Sequence, residues 1–215
     1  MTTAKRHIAT LVFMLFVLTS FGQKITNDYL LSFVDSSSGK EKELWGFKTK
    51  SGKVIIRPKY EVIGTDTMFK IAFVTLNYTW VAINRQDKII LTPYIFDNGP
   101  DYVQEGLFRY VENNKIGFAN LQGQKVIKAS FDFVSPFNSG LAAFNIGGQS
   151  KKVDDEHSSW QGGLWGFIDK KGKIVIKPKF KKVYDFRGKH CDAWTQDGRH
   201  ILIDKKGDIF KVLTK

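Results

Sequence analysis

The chain has 215 residues, enough for one domain and at most two. Its 42% hydrophobic and 14% aromatic content excludes an intrinsically disordered protein, and its single cysteine, Cys191, excludes an intramolecular disulfide framework, so a packed core must hold the fold. The formal net charge of +12 predicts attraction to polyanions such as nucleic acid, acidic glycan or lipid headgroups, and says nothing about the fold.

Residues 1–22 read as a secretory signal peptide. Lys5, Arg6 and His7 make a basic start, and Ile8 to Leu18 is an apolar run interrupted only by Thr10. Ser20 and Gly22 are small residues placed three and one before Gln23, which predicts cleavage between Gly22 and Gln23. The run is shorter than the about 20 residues that cross a bilayer as a helix, and no other stretch is long and apolar enough, so no transmembrane segment is expected in the mature chain. No cysteine lies near the cleavage site, so the N-terminus is not expected to be lipidated. Cleavage removes two cations and no acid, which takes the balance from +12 to +10 for residues 23–215. The expected compartment is the periplasm or the exterior, where intracellular nucleic acid is not an expected partner.

Residues 23–215 form one repeating region. The segment Trp45-Gly46-Phe47-Lys48-Thr49-Lys50-Ser51-Gly52-Lys53 returns with variations starting at Trp80, Ile116, Trp165 and His200, at intervals of 35, 36, 49 and 35 residues. The long interval holds one insertion, Gly147 to Gly163. An apolar run follows each copy, for example Val54-Ile55-Ile56 and Ile174-Val175-Ile176. Pro58, Pro93 and Pro178 then recur in register, with an aromatic two residues later at Tyr60 and Phe180. Another apolar strand begins near Ile71, Leu107, Leu141 and Cys191, matched before the first tryptophan by Leu30 to Val34.

This spacing predicts an all-β fold: a tandem array of about five three-stranded antiparallel β-meander repeats, solenoid or propeller-like. The Lys/Gly link joins strands two and three as a hairpin, glycine supplying the left-handed conformation that Asp87 must adopt in the second copy. Along strand two, Trp165 and Phe167 point one way and Gly166 and Ile168 the other, which predicts burial on both faces between neighbouring units. Glycine after the tryptophan is expected to leave room for a close neighbour, and proline to end the pairing of strand three.

These motifs, Trp-Gly-Phe-Ile-Asp at Trp165–Asp169, the Lys/Gly turn, Ile174-Val175-Ile176 and Pro178 followed by Phe180, resemble those of the WG-repeat family. The likeness spans most of residues 29–212. It is fullest in copies one and four, and in copies two and five Val81 and Ile201 replace the glycine. The resemblance implies a β-repeat fold, often found in arrays, and names no ligand.

No catalytic constellation stands out, and no enzyme activity, metal or cofactor is expected. His157, His190 and His200 lack metal-ligand spacing. His190-Cys191-Asp192 contains a base, a thiol and an acid, but successive strand residues face opposite ways, and Cys191 aligns with the core positions Ile71, Leu107 and Leu141. Asp154-Asp155-Glu156-His157 reads as a solvated acidic loop. Lys177, Lys179 and Lys181 share one face if strand three continues through Pro178, with Lys173 and Lys182 near them, and Arg57 and Lys59 repeat the first two positions. This stripe reads either as a guarded strand end or as a site for an acidic polymer. Four of the tryptophans are read as core or off-register residues, while Trp160, in the polar insertion, is the candidate for an exposed contact. The expected function is a non-catalytic binding or scaffold module whose partner is a protein or a cell-envelope polymer, with an acidic glycan as the alternative and an enzyme assembled between repeats as the third reading.

Overall fold

The computed structural model describes residues 28–35, 43–153 and 158–214. The expected signal peptide with its cleavage point, and the acidic run Asp154–His157, lie outside them. Among the described residues there is no helix, so none can cross a membrane.

The predicted units are present. The first consists of β1 (Leu30–Val34), β2 (Trp45–Lys48) and β3 (Val54–Tyr60), followed by the short β4 (Thr67–Met68). The second is β5 (Ile71–Leu76), β6 (Thr79–Asn84) and β7 (Ile89–Pro93), followed by the small hairpin β8 (Ile95–Phe96) and β9 (Gly99–Pro100). The third is β10 (Leu107–Glu112), β11 (Lys115–Asn120) and β12 (Lys125–Phe131), followed by β13 (Phe133–Val134). The fourth is β14 (Leu141–Lys152), β15 (Ser158–Asp169) and β16 (Ile174–Phe180), followed by β17 (Lys182–Val183). The fifth is β18 (His190–Trp194), β19 (His200–Asp204) and β20 (Ile209–Thr214). All pairings are antiparallel.

The link between strands two and three forms as the sequence implies. Gly52, Gly123, Gly172 and Gly207 have φ between 78° and 88°, and Asp87 adopts φ 61° in their place. The residue four after each unit's tryptophan position holds the turn. Asp169 Oδ1 accepts the backbone N–H groups of Lys171 and Lys173, both at 2.9 Å, and Asn84, Asn120 and Asp204 do the same in their units.

Proline ends strand three in the second unit, at Pro93, but not in the first and fourth. Trp45 pairs with Tyr60 and Phe47 with Ile56, so Arg57, Pro58 and Lys59 bulge opposite the single residue Gly46, and pairing resumes after them. Pro178 sits in the same bulge opposite Gly166. Proline lacks the N–H that a regular ladder needs, and the bulge removes that need. The same geometry identifies the close neighbour for which the glycine leaves room: the main chain of its own third strand. A Cβ on Gly46, Gly117 or Gly166 would lie 2.4–2.5 Å from the carbonyl oxygen of Ile56, Ile127 or Ile176. Val81 has that Cβ, and this bulge is absent from the second unit. There β6 and β7 pair only at Ala82–Leu91 and Ile83–Ile89. Thr92 and Pro93 then pair with Val111 and Tyr110 on β10, which fuses units two and three into one six-stranded sheet.

Both faces of the inner strands are buried, as the alternation predicts. Leu141, Ala143 and Phe167 pack with Cys191, Ala193, Ile201 and Ile203 of the fifth unit. Their alternates Ala142, Phe144 and Ile168 pack with Leu107, Phe118 and Ile127 of the third. Two further clusters join unit one to two and unit two to three. Among the described residues each cluster joins successive units and none joins the fifth to the first, the pattern of a solenoid-like stack. Side-chain latches reinforce three of the junctions. The cation five residues after the tryptophan position reaches back to the residue two before strand one of the preceding unit: Arg85 to Asp28 at 2.9 Å, Lys170 to Glu105 at 2.9 Å, and Lys205 to the Ser139 carbonyl at 2.5 Å.

The alignment of Cys191 is corrected by one residue. His190 stands opposite Asp204 as Leu141 stands opposite Asp169, so His190, not Cys191, takes the position of Leu107 and Leu141. Cys191 is buried all the same, facing the fourth unit. The outward positions of the fifth unit therefore carry His190, Asp192, Trp194, His200 and Leu202, where the fourth unit carries Leu141, Ala143, Asn145, Trp165 and Phe167. These positions are thus mostly polar where the fourth unit presents mostly apolar side chains to its neighbour.

Candidate functional site

The insertion Gly147–Gly163 lengthens the β14–β15 hairpin instead of forming a separate element. Asn145 braces its base: Gly148 N–H donates to Asn145 Oδ1 at 2.9 Å, and Asn145 Nδ2 donates to the Gly162 carbonyl at 3.1 Å. Glycine is required at 148, because a Cβ there would meet Trp160 Nε1 at 2.4 Å. Trp160 thus lies back on the hairpin rather than standing free. It is half-buried, its Nε1 is buried without a protein partner, and its ring stacks on Phe133 with centroids 5.2 Å apart. Phe133 in turn meets Trp165 edge-on at 5.5 Å.

This arrangement opens a cleft of ≈ 480 Å³ between the fourth and fifth units, lined by Trp160, Trp165, Trp194, Lys181, Lys182 and Gly198. Each wall has a local cause. Trp165 starts the repeated segment of strand two and stands half-buried beside the core of the fifth unit. Trp194 ends β18, backed by the His200 ring at 4.2 Å in parallel planes. His200 Nε2 lies 2.7 Å from Asp192 Oδ1, which holds that ring in place. The Lys181 N–H donates to the Trp194 carbonyl at 2.8 Å, and this main-chain bond brings both lysines to the rim. Lys182 Nζ sits 4.8 Å from the ring centroids of both Tyr184 and Trp194, a cation held against aromatic faces.

Trp160 is also a wall of a second cavity of ≈ 480 Å³, which includes Tyr94, Phe96, Tyr102, Arg109 and Phe133. Its floor is fixed by a buried ion pair. Arg109, 3% exposed, donates from Nε and Nη2 to the two carboxylate oxygens of Asp101, each at 2.8 Å, and from Nη1 to the Val134 carbonyl at 3.1 Å. Its guanidinium lies 4.2 Å from the Tyr94 ring centroid. A bidentate buried pair of this kind orients its surroundings strongly, and losing one partner would strand the other charge. Nothing in the sequence reading marked Arg109, which stands where the fourth unit has Ala143.

The candidate lysines divide between tasks. Strand three does continue through Pro178, but the bulge separates its cations. Lys59 pairs with Asp87 at 2.6 Å, in the turn of the next unit, and Tyr60 Oη donates to the same carboxylate at 2.5 Å. Burial, then Asp87, raises the Tyr60 phenol well above its ordinary value. Lys179 Nζ donates to the Gly207 carbonyl at 3.0 Å, the equivalent turn of the fifth unit. These two lysines tie units together. Arg57 and Lys177 are exposed in the bulges and Lys173 at the hairpin. Of the whole set, Lys181 and Lys182 line the cleft. Trp194, Tyr184 and Phe133 were not read as site residues, because their convergence depends on how successive units stack. The off-register position of Trp194 was the available signal.

His190, Cys191 and Asp192 border one cavity of ≈ 400 Å³ with Tyr184, Asp185, Arg187, Trp194 and His200, but the thiol is turned into the core. His190 and Asp192 face outward and Cys191 inward, and burial, with Asp192 and Asp185 nearby, pushes the Cys191 thiol up to about 12. Among the described residues no group of three or more His, Cys, Asp or Glu side chains is placed to hold a metal ion.

Stacked three-stranded meanders with a cleft at one junction define an all-β repeat module. The family model for the WG containing repeat matches residues 45–80, 82–115, 116–149 and 165–189, more than half of the chain, and the protein belongs to the WG-repeat family. The matches stop before the fifth unit, where Ile201 replaces the glycine and β20 has no proline. No curated protein matches the chain.

Proposed function

We propose that this protein is an exported, non-catalytic recognition module that binds its partner, a protein or cell-envelope polymer, in the tryptophan-lined cleft between its fourth and fifth units. One observation carries the reading: three of the five tryptophans converge on a single cleft of ligand-binding size together with two lysines. The two remaining tryptophans serve the stack, Trp45 packing on the core between units one and two and Trp80 on that between two and three. Export is supported by the basic, apolar and small-residue order of residues 5–22. The non-catalytic reading is supported by the burial of the one thiol in the core between the fourth and fifth units and by its raised pKa.

Indole-resolved NMR titration tests this directly. The mature chain is titrated with a panel of oligosaccharides and peptides, and every mixture is assayed for breakdown of the added compound. The expected result is a ligand that shifts the Nε1–H signals of Trp160, Trp165 and Trp194, leaves Trp45 and Trp80 in place, and is recovered intact. Shifts confined to Trp45 and Trp80, or consumption of the ligand, contradict the proposal.

A further inference from the structure

The lining of the cleft carries a charge pattern that narrows its occupant. Resting on the reading above, we infer that the cleft takes an acidic glycan, with sugar rings against the indoles of Trp160, Trp165 and Trp194 and the anionic substituents on Lys181 and Lys182. Among the described residues no carboxylate lines the cleft. Lys182 is held by Tyr184 and Trp194, through two ring faces and a hydrogen bond to Tyr184 Oη at 3.3 Å, none of which supplies a counter-charge. The Lys181 side chain takes part in no ion pair or hydrogen bond among the described residues. Two ammonium groups with no acid beside them among the described residues therefore border a cleft whose walls are flat and aromatic. Elsewhere cations that meet a neighbouring unit are held by it, Lys59 by Asp87, Lys170 by Glu105 and Arg85 by Asp28 as ion pairs, and Lys179 and Lys205 by main-chain carbonyls. The Lys181 and Lys182 side chains have neither kind of partner in a neighbouring unit among the described residues.

A pyranose ring carrying a carboxylate or sulfate suits both features. Its C–H face is apolar and flat and packs on an indole, while its charge pairs with an ammonium group. An acidic peptide fits less well, since extended peptides gain most from adding to a free strand edge. On the fifth-unit side the main chain that borders the cleft is already paired, Lys181 N–H to the Trp194 carbonyl and Lys182 opposite Trp194. The ligand is also longer than one sugar. Trp160 is shared with the second cavity, where Phe96 and Tyr102 remain 52% and 63% exposed with ring centroids 6.1 Å apart. A chain crossing Trp160 gains a second aromatic platform there.

Calorimetric titration with defined probes decides this. The probes are galacturonate oligomers of two to six sugars, their methyl esters, a heparin hexasaccharide and hexaglutamate. The variants are Lys181→Ala with Lys182→Ala, and Trp165→Phe, each checked for an unchanged melting temperature. The expected result is that the galacturonate or the heparin oligosaccharide binds and tightens with length, and shifts the Trp160, Trp165 and Trp194 indoles. The double lysine variant then weakens the binding by about tenfold or more, esterification weakens the galacturonate by a like factor, and Trp165→Phe weakens it several-fold. Equal binding of hexaglutamate, equal binding of the esters by the parent chain, or no effect of the lysine substitutions overturns the inference. If no acidic saccharide binds while another compound moves the three indoles, this inference falls and the recognition reading stands. If nothing in either panel moves them, both fall.

Discussion

At the scale of single residues, the chain's one cysteine shows how a chemically suggestive triplet is taken apart by strand geometry. Cys191 points into the core shared with the fourth unit, while His190 stacks on Phe210 outside it at 4.1 Å. Cys191→Ser should leave ligand binding unchanged and cost about 1–3 kcal/mol, the penalty for a hydroxyl placed in an apolar site without a partner. Loss of binding with an unchanged melting temperature would instead assign the thiol a functional role. The titration has a sign that can be checked on the parent protein. A folded-state thiol pushed up to about 12 by burial has a pKa above that of the unfolded chain. Its contribution to stability is therefore full below the unfolded thiol's pKa and is lost as pH rises from there through about 12. Denaturant melts from pH 7 to 11 should show stability falling at the alkaline end more in the parent than in Cys191→Ser.

Elements show what was legible in the sequence and what was not. The repeat interval, the Lys/Gly turn and the two-faced strand two were readable because each depends on residues close in sequence. The bulge was not, because it is a relation between two strands: Gly166 and Pro178 explain each other only when set side by side. The register of Cys191 failed for a local reason. Units two and three pass from strand one to strand two through two residues with left-handed φ, Asn77-Tyr78 and Asn113-Asn114, so strand one starts nine residues before Trp80 and Ile116. The fifth unit has the longer link Thr195–Arg199, which sets the start of strand one, His190, ten residues before His200. The cleft was half legible. Trp160, Lys181 and Lys182 were candidates, but Trp165 was read as core and Trp194 only as off-register. The bulge itself can be tested. Gly166→Ala places a Cβ 2.4 Å from the Ile176 carbonyl and should cost about 1–3 kcal/mol by thermal or urea melts, the range for overpacking. Gly99→Ala meets no atom within 4 Å and should stay within about 0.5 kcal/mol. Equal effects would show that the glycine after the tryptophan is not held by its own third strand.

For the whole molecule, the stack and the cleft are one feature, because the cleft exists only where the fifth unit rests on the fourth. Each inner unit gives one face to each neighbour, so stability should behave as a sum of nearest-neighbour terms. The fifth unit breaks the pattern on its outer side, where His190, Asp192 and His200 stand at positions that carry Leu141, Ala143 and Trp165 in the fourth. Phe167 and Leu202 occupy the same position of strand two in these adjacent units. Phe167 is buried between the fourth and fifth units, whereas Leu202 faces outward beyond the last. The most direct measurement is a pair of urea melts on Phe167→Ala and Leu202→Ala. Stacking predicts a loss of about 3–5 kcal/mol for Phe167→Ala, a large fraction of the about 5–15 kcal/mol that holds a domain, and less than about 1 kcal/mol for Leu202→Ala. Equal losses, or a greater loss at Leu202, would contradict a stack that ends at its fifth unit, and with it the placement of the cleft at the last junction.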